Sequence, residues 1–115
     1  MRRTFKFRLY PTARQVDALT QCLKDHRDLY NCALEHRREL YKRHGKTVRY
    51  LDQAAELPVI RSEDPGGQGR WNCSSQQATL RRLDKAYQAF FRRLKRGEKP
   101  GFPRFKGAGW FDTIE

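Results

Sequence analysis

The chain has 115 residues, with 25 Lys and Arg against 13 Asp and Glu, a net charge of +12 and a sequence pI of about 10.2. That length leaves room for one domain at most, or part of one, and the charge predicts a polyanionic partner. No apolar run approaches the roughly 18 residues of a membrane span, and the basic start lacks the apolar stretch of a signal peptide. We therefore expect a cytoplasmic chain with no membrane contact, and its 12% aromatic residues argue against disorder.

The charge is divided into two basic arms. Residues 1–50 hold 13 basic and 5 acidic side chains, residues 51–70 hold 2 and 4, and residues 71–115 hold 10 and 4. Three cysteines, an odd number at irregular spacing, predict reduced thiols and not a disulfide framework.

The first predicted element is a strand. Apolar and basic residues alternate over Phe5 to Leu9, which is typical of a half-buried strand with Lys6 and Arg8 on its outer face.

A helix is predicted to follow. Thr12 stands three residues before Gln15, the spacing of a capping box, so the helix begins near Ala13. A second apolar series predicts another helix of about 15 residues that ends before Gly45, with a bend near residues 25–27 between the two.

The middle of the chain is predicted to hold a short helix and a loop. The helix covers Tyr50 to Leu57 and is stopped by Pro58, and the sequence DPGGQG over residues 64–69 indicates an exposed loop.

The last helix has the clearest pattern. Ser74 and Gln77 have capping-box spacing, and the helix is predicted to run to about Arg96 before Gly97 ends it. At 100° per residue one face is apolar and predicted to be core: Leu80, Leu83, Tyr87, Phe90, Phe91 and Leu94. The opposite face carries Arg81, Lys85, Arg92 and Arg96, interrupted only by Asp84. A solvated face usually interleaves acids with its bases, so this stripe favours contact with a nucleic-acid backbone.

The final segment is predicted to be extended. Pro100 and Pro103 fix the backbone, while Arg104 and Lys106 project outward. The two phenylalanines at 102 and 105 are either buried in a core or available to stack on RNA bases.

No convincing active site emerges. Cys22, His26, Cys32 and His36 have zinc-ligand types, but on one continuous helix the two pairs point about 280° apart. Cys32 and His36 lack an orienting acid for nucleophilic catalysis. The carboxylate pairs Asp52 with Glu56 and Glu35 with Glu39 fit surface charges better than a magnesium site, and no phosphate-binding glycine loop occurs.

Four segments carry a family resemblance. The runs FKFRLYPTARQ, RDLYNCALEHRRELY, SSQQATLRRLDKAY and YQAFFRRLKRGEKPGFPRFK resemble, in the same order, the N-terminal region of the OrfB/TnpB family of RNA-guided DNA endonucleases. The resemblance implies a mainly α fold with flanking β structure, an antiparallel helical bundle inserted between strands of an incomplete OB-like barrel. Residues 1–11 would be the first barrel strand, residues 12–96 the helical recognition insert with a loop near 62–71, and residues 97–115 the returning barrel segment.

The same resemblance implies binding without cleavage. The family's RuvC-like nuclease, with its Mg ions and structural Zn, lies further along than these motifs, so we expect no cofactor here. Guide RNA, duplex DNA beside the target, and the remainder of the nuclease if it is expressed downstream are the implied partners.

The implied contacts fall into two groups. Contacts to the DNA motif would come from Tyr50, Gln53, Ser74 and Gln77, although Gln77 fits a capping role equally well. Backbone contacts would come from Lys6, Arg8, Arg81, Lys85, Arg92, Arg93, Lys95, Arg96, Arg104 and Lys106. The alternative is a degenerate or truncated fragment that binds any polyanion nonspecifically.

Overall fold

A computed structural model describes residues 12–99, 103–107 and 111. Four α-helices lie in these ranges: α1 (Ala13–His44), α2 (Tyr50–Ala54), α3 (Leu57–Glu63) and α4 (Cys73–Lys95), with a 3₁₀ turn at Gln68–Arg70. Within these ranges no helix is long and apolar enough to cross a membrane.

Helix α1 is one continuous helix of 32 residues. Its start is confirmed, because the Thr12 hydroxyl accepts from the Gln15 amide at 3.3 Å and the Gln15 side chain accepts from the Thr12 amide at 2.9 Å. Its end is confirmed at Gly45, whose φ of 62° closes the helix in the left-handed region. The predicted bend near residues 25–27 is wrong. Asp25 and His26 are buried polar residues whose partners lie on distant parts of the chain, so the helix has no need to break there.

The two long helices are parallel. His26 of α1 contacts Ser75 of α4, and further along Arg37 contacts Asp84, so contact positions advance together on both helices. Helices α2 and α3 run back between them, since Tyr50 lies beside Arg81. The predicted antiparallel arrangement is therefore wrong for α1 and α4. The residues between them run back along the bundle before α4 begins, so the two long helices point in the same direction.

The core forms where α1, α3 and α4 meet. Its least exposed side chains are leucines at 34, 57, 80 and 83, and Tyr30, Tyr87 and Phe111 complete it. Of the predicted core face of α4, Leu80, Leu83 and Tyr87 are buried, but Phe91 and Leu94 remain about half exposed. Beyond Tyr87 neither α2 nor α3 covers α4, because α2 begins opposite Arg81.

The middle region differs from its prediction, because α2 ends at Ala54 and Leu57 is the first residue of α3. The short helix starts at Tyr50 as expected, but Pro58 lies in the first turn of α3 and does not stop a helix. Proline is tolerated there because first-turn amides have no partner within the helix. Of the predicted exposed loop, residues 64–67 join α3 to the 3₁₀ turn and residues 68–69 belong to that turn, and Gly67 and Gly69 are only partly exposed.

Helix α4 begins two residues earlier than predicted. Its cap is Asn72, whose side-chain oxygen accepts from the Ser74 amide at 2.7 Å, so the predicted Ser74 and Gln77 capping box is wrong. The predicted end is confirmed, with Lys95 the last helical residue and Gly97 at a φ of 73°.

The predicted barrel is also wrong, because the described ranges contain helices and turns and no strand. At residues 103–107 the backbone pairs with a side chain of α1. Asn31 accepts from the Lys106 amide at 2.7 Å and donates to the Lys106 carbonyl at 2.9 Å. The predicted strand over Phe5 to Leu9, and Pro100 and Phe102, lie outside the described residues.

Candidate nucleic-acid interface

The outer face of α4 is basic from Arg81 to the end of the helix. Six cations on the helix and its cap are exposed to solvent: Arg81, Lys85, Arg92, Arg93, Lys95 and Arg96. A side-chain stripe from residue 81 to 96 spans about 22 Å at 1.5 Å per residue. Such a length follows several phosphates of a nucleic-acid strand.

The one acid that interrupts this stripe is turned toward α1. Asp84 accepts from the Arg37 guanidinium at 3.1 Å, and Arg37 is only 6% exposed. Asp84 also accepts from Gln88 at 2.8 Å. The carboxylate is thereby paired with an internal cation, which leaves the outer cations to dominate the potential of this face.

A second patch lies at the other end of the stripe and joins α2 to α4. The Arg81 guanidinium lies 5.2 Å from the centre of the Tyr50 ring, a cation–π contact that fixes both side chains. Gln77, one turn before Arg81, is partly exposed and its amide approaches the Cys73 sulfur at 3.7 Å. Ser74 is exposed in the same first turn. Tyr50, Ser74, Gln77 and Arg81 thus form a patch of hydrogen-bonding groups, here called the α2–α4 patch.

Gln53 does not reach this patch. It is 3% exposed, accepts from Arg37 Nε at 2.9 Å and donates to the Ala33 carbonyl at 2.8 Å. Contact with DNA would require the loss of both hydrogen bonds. The structure gives Gln53 the role of holding α2 on α1.

A network around Asp25 holds the start of α4 in place. Asp25 accepts from Trp71 Nε1 at 2.6 Å, from Arg70 at 3.0 Å and from Gln21 at 2.8 Å. Burial of Asp25 favours its neutral form, but these hydrogen bonds and the Arg70 charge outweigh it and hold the pKa of the carboxyl below its usual range.

Arg61 and Gln76 extend this network on the other side of the loop. Arg61 donates to the Gln76 side chain at 2.7 Å and to the Trp71 carbonyl, and Gln76 donates to the Gln68 carbonyl at 2.8 Å. Sequence reasoning missed this network, because its members are polar residues scattered over several elements. The loop before α4 is consequently rigid, which orients the first turn of α4.

The cysteine and histidine pairs do not form a metal centre. His26 is fully buried, with Nε2 2.8 Å from the Ser75 hydroxyl and Nδ1 donating to the Cys22 carbonyl at 2.8 Å. Across the described ranges no group of three or more His, Cys, Asp or Glu side chains is placed to hold a metal ion. Burial and the nearby Asp25 raise the pKa of the Cys22 thiol, which disfavours the thiolate.

The remaining predicted cations differ in their exposure to solvent. Arg104 is exposed, whereas Lys106 is partly buried with its ammonium 5.8 Å from the centre of the Tyr30 ring. Phe105 is half exposed, so of the two alternatives for this ring, full burial in the core does not apply. Lys6 and Arg8 lie outside the described residues.

The parallel arrangement brings a second basic cluster to the same end of the molecule. The last turn of α1 carries Lys42, Arg43 and His44, and the last turn of α4 carries Arg92, Arg93 and Lys95. Cations at helix C-termini offset the negative end of the helix dipole, which accounts for part of this enrichment. The two basic clusters lie at the same end of the molecule only because α1 and α4 pack in parallel.

Two comparisons with known proteins agree with this picture. Residues 1–46 match the helix-turn-helix domain of the OrfB type. The chain is also 29% identical over 107 residues to a protein of Streptomyces pristinaespiralis named as a candidate RNA-guided DNA endonuclease. That alignment covers 92% of this chain and 25% of the relative, so the chain spans about a quarter of its length.

The match to a helix-turn-helix domain does not correspond to two helices here. In the described part of the matched range, from residue 12 to residue 46, the structure has the single helix α1. The two matches nevertheless confirm the resemblance to an N-terminal OrfB/TnpB region, and they support DNA binding by it.

Proposed function

We propose that this OrfB/TnpB-type N-terminal region binds a guide RNA and the duplex DNA beside its target. The basic face of α4 contacts the phosphate backbone, and the α2–α4 patch contacts base edges. We assign binding and not cleavage to these residues. Sequence recognition beyond a short motif is left to base pairing, as in RNA-guided effectors generally.

The observation that carries the proposal is the composition of the outer face of α4. Its only acid is paired with the buried Arg37, so phosphates approaching Arg81, Lys85 or Arg92 meet no opposing carboxylate from the helix itself. Lys and Arg side chains that neutralise phosphates release counterions, which is the main source of affinity for nucleic acids.

The α2–α4 patch supports a role in motif recognition. A glutamine amide pairs bidentately with adenine in the major groove, and a tyrosine contacts a phosphate or a thymine methyl group. Gln77 is released from the capping role that its spacing suggested, because Asn72 caps α4. The cation–π contact with Arg81 holds Tyr50 beside it.

The proposal is tested by competition between RNAs. The purified chain is bound to a labelled guide-like RNA at about physiological salt, where nonspecific contacts are weakened. Unlabelled guide-like RNA and a scrambled RNA of equal length then compete. We expect the guide-like RNA to compete much better, whereas equal competition would mean that the chain binds any polyanion through its charge alone.

A further inference from the structure

A cleft of about 680 Å³ lies between the C-terminal halves of α1 and α4. Tyr41 of α1 and Phe91 and Leu94 of α4 line it, and Phe105 and the buried Val48 complete the wall. Its volume falls within the usual range for small-ligand sites.

The lining is unusual for a surface because its apolar groups are large and exposed. Tyr41 is 64% exposed, Phe91 48% and Phe105 49%. Phe91 is also held by other rings, since its centre lies 5.4 Å from that of Phe90 and 6.3 Å from that of the buried Tyr87. The exposed ring of Phe91 is therefore the end of an anchored aromatic series and has a defined orientation.

Cations surround these rings. The Arg38 guanidinium lies 5.4 Å from the centre of the Phe105 ring, and Lys42 and Lys46 also line the cleft. Among the described residues no carboxylate forms an ion pair with Lys42 or Lys46, while Glu39 of the same wall is paired with Arg43 at 3.0 Å. Glu35 is the other acid in the wall, so the cleft keeps a positive balance.

We propose that this cleft binds unpaired nucleobases of a single strand. The bases stack on Phe91, Tyr41 and Phe105, and the flanking phosphates contact Arg38, Lys42 and Lys46. Aromatic side chains interleaved with cations are the common means by which proteins hold single strands. Charge complementarity favours this occupant over an apolar protein segment, which would supply no anion for Lys42 and Lys46. The inference rests on the proposed function and extends it from backbone contacts to base contacts.

The test compares strands that have the same charge but different bases. A labelled oligothymidine is matched with an oligonucleotide of equal length in which the central nucleotides are abasic. Base stacking is sequence-tolerant, so we expect the wild-type chain to bind the base-bearing strand at least about tenfold more tightly. An oligouridine of the same length shows whether RNA or DNA is the better source of these bases.

The informative variant is Phe91→Leu, which keeps an apolar side chain but removes the ring. We expect it to reduce the preference for bases to about twofold or less, while affinity for the abasic strand is unchanged. Val59→Ala is the matched control, since Val59 is an exposed apolar residue on α3 outside the cleft. Circular dichroism checks that both variants fold.

Several outcomes would overturn the inference without touching the proposed function. Equal wild-type affinity for base-bearing and abasic strands would exclude stacking. A preference retained by Phe91→Leu and also by the triple variant Tyr41→Leu, Phe91→Leu and Phe105→Leu would place stacking outside the cleft and favour a protein segment as its occupant. Failure of the wild-type chain to bind any of the strands at low salt would instead count against the proposed function itself.

Discussion

The imidazole Nε2 of His26 lies 2.8 Å from the hydroxyl Oγ of Ser75, which links the first half of α1 to the first turn of α4. The other ring nitrogen donates to the Cys22 carbonyl, so the imidazole is held from both sides. Because the Ser75 hydroxyl also lies 2.8 Å from the Asn72 carbonyl, the contact reaches the cap of α4. The pair therefore sets the position from which the basic face of α4 extends.

His26→Ala tests this link. The substitution removes a fully buried ring, leaves a cavity and deprives Ser75 of a partner, so we expect a loss of about 2–4 kcal/mol in the free energy of unfolding. Urea unfolding measures the change. His44→Ala, at the exposed end of the same helix, should cost less than about 1 kcal/mol. Equal losses in the two variants would contradict the structural role of His26.

Two arginines of α1 should differ sharply in their contribution to stability. Arg37 is buried and contacts both Gln53 and Asp84, whereas Arg43 forms an exposed pair with Glu39. Arg37→Met should reduce the free energy of unfolding by about 2–3 kcal/mol, because it leaves the Gln53 oxygen without a donor and the Asp84 carboxylate without its cation. Arg43→Met should cost at most about 0.5 kcal/mol. Chemical unfolding of both variants measures these losses in the free energy of unfolding. Similar small losses would show that the Arg37 network adds little.

Protonation of Asp25 in acid should lower the free energy of unfolding. Its folded pKa lies below the ordinary value of about 3.9, so the stabilisation is complete above about pH 4 and is lost as the pH falls through the folded pKa. Asp25→Asn should therefore be less stable than wild type at pH 7 and should lose less on acidification. Urea midpoints at pH 7 and at pH 3 measure this, and an unchanged pH dependence in Asp25→Asn would assign the effect to other carboxylates.

Gln77 should affect which DNA is bound and not how tightly DNA binds in general. Selection from a duplex library with randomised positions reports the preferred motif and its strength. Gln77→Ala should weaken discrimination at one position by about 1–3 kcal/mol, as expected for a lost bidentate contact. Gln88→Ala, an exposed glutamine on the same helix, is the control and should leave the motif unchanged. A motif that survives Gln77→Ala would confine Gln77 to a structural role.

Local signals predicted three of the four ends of the long helices. Thr12 with Gln15 defines the start of α1, and Gly45 and Gly97 define the two C-terminal ends, because each acts within one turn of its own helix. The basic face of α4 followed from its 3.6-residue period for the same reason.

Features that depend on distant partners could not be predicted. Two apolar series suggested a bend near residues 25–27, yet Trp71 and Ser75 satisfy the buried Asp25 and His26 within a continuous helix. Asn72 and Ser74 are both good caps, and the choice between them is made by tertiary packing. Gln53 was a candidate for DNA contact until its amide was found paired with Arg37 and Ala33. The cleft arises only because α1 and α4 are parallel, a topology that periodicity does not specify.

The most direct test of the central claim compares two variants of equal charge. Arg81, Lys85 and Arg92 on the α4 face are replaced together by glutamine, and Arg14, Lys24 and Arg27 in the first half of α1 form the matched control. Binding of a labelled 20-base-pair DNA duplex is measured by fluorescence anisotropy over a range of salt concentrations. The account predicts that the α4 variant loses about 2–3 from the slope of log affinity against log salt, while the α1 variant stays near wild type. Equal losses in both variants would contradict it, because binding would then follow net charge and not the face of α4.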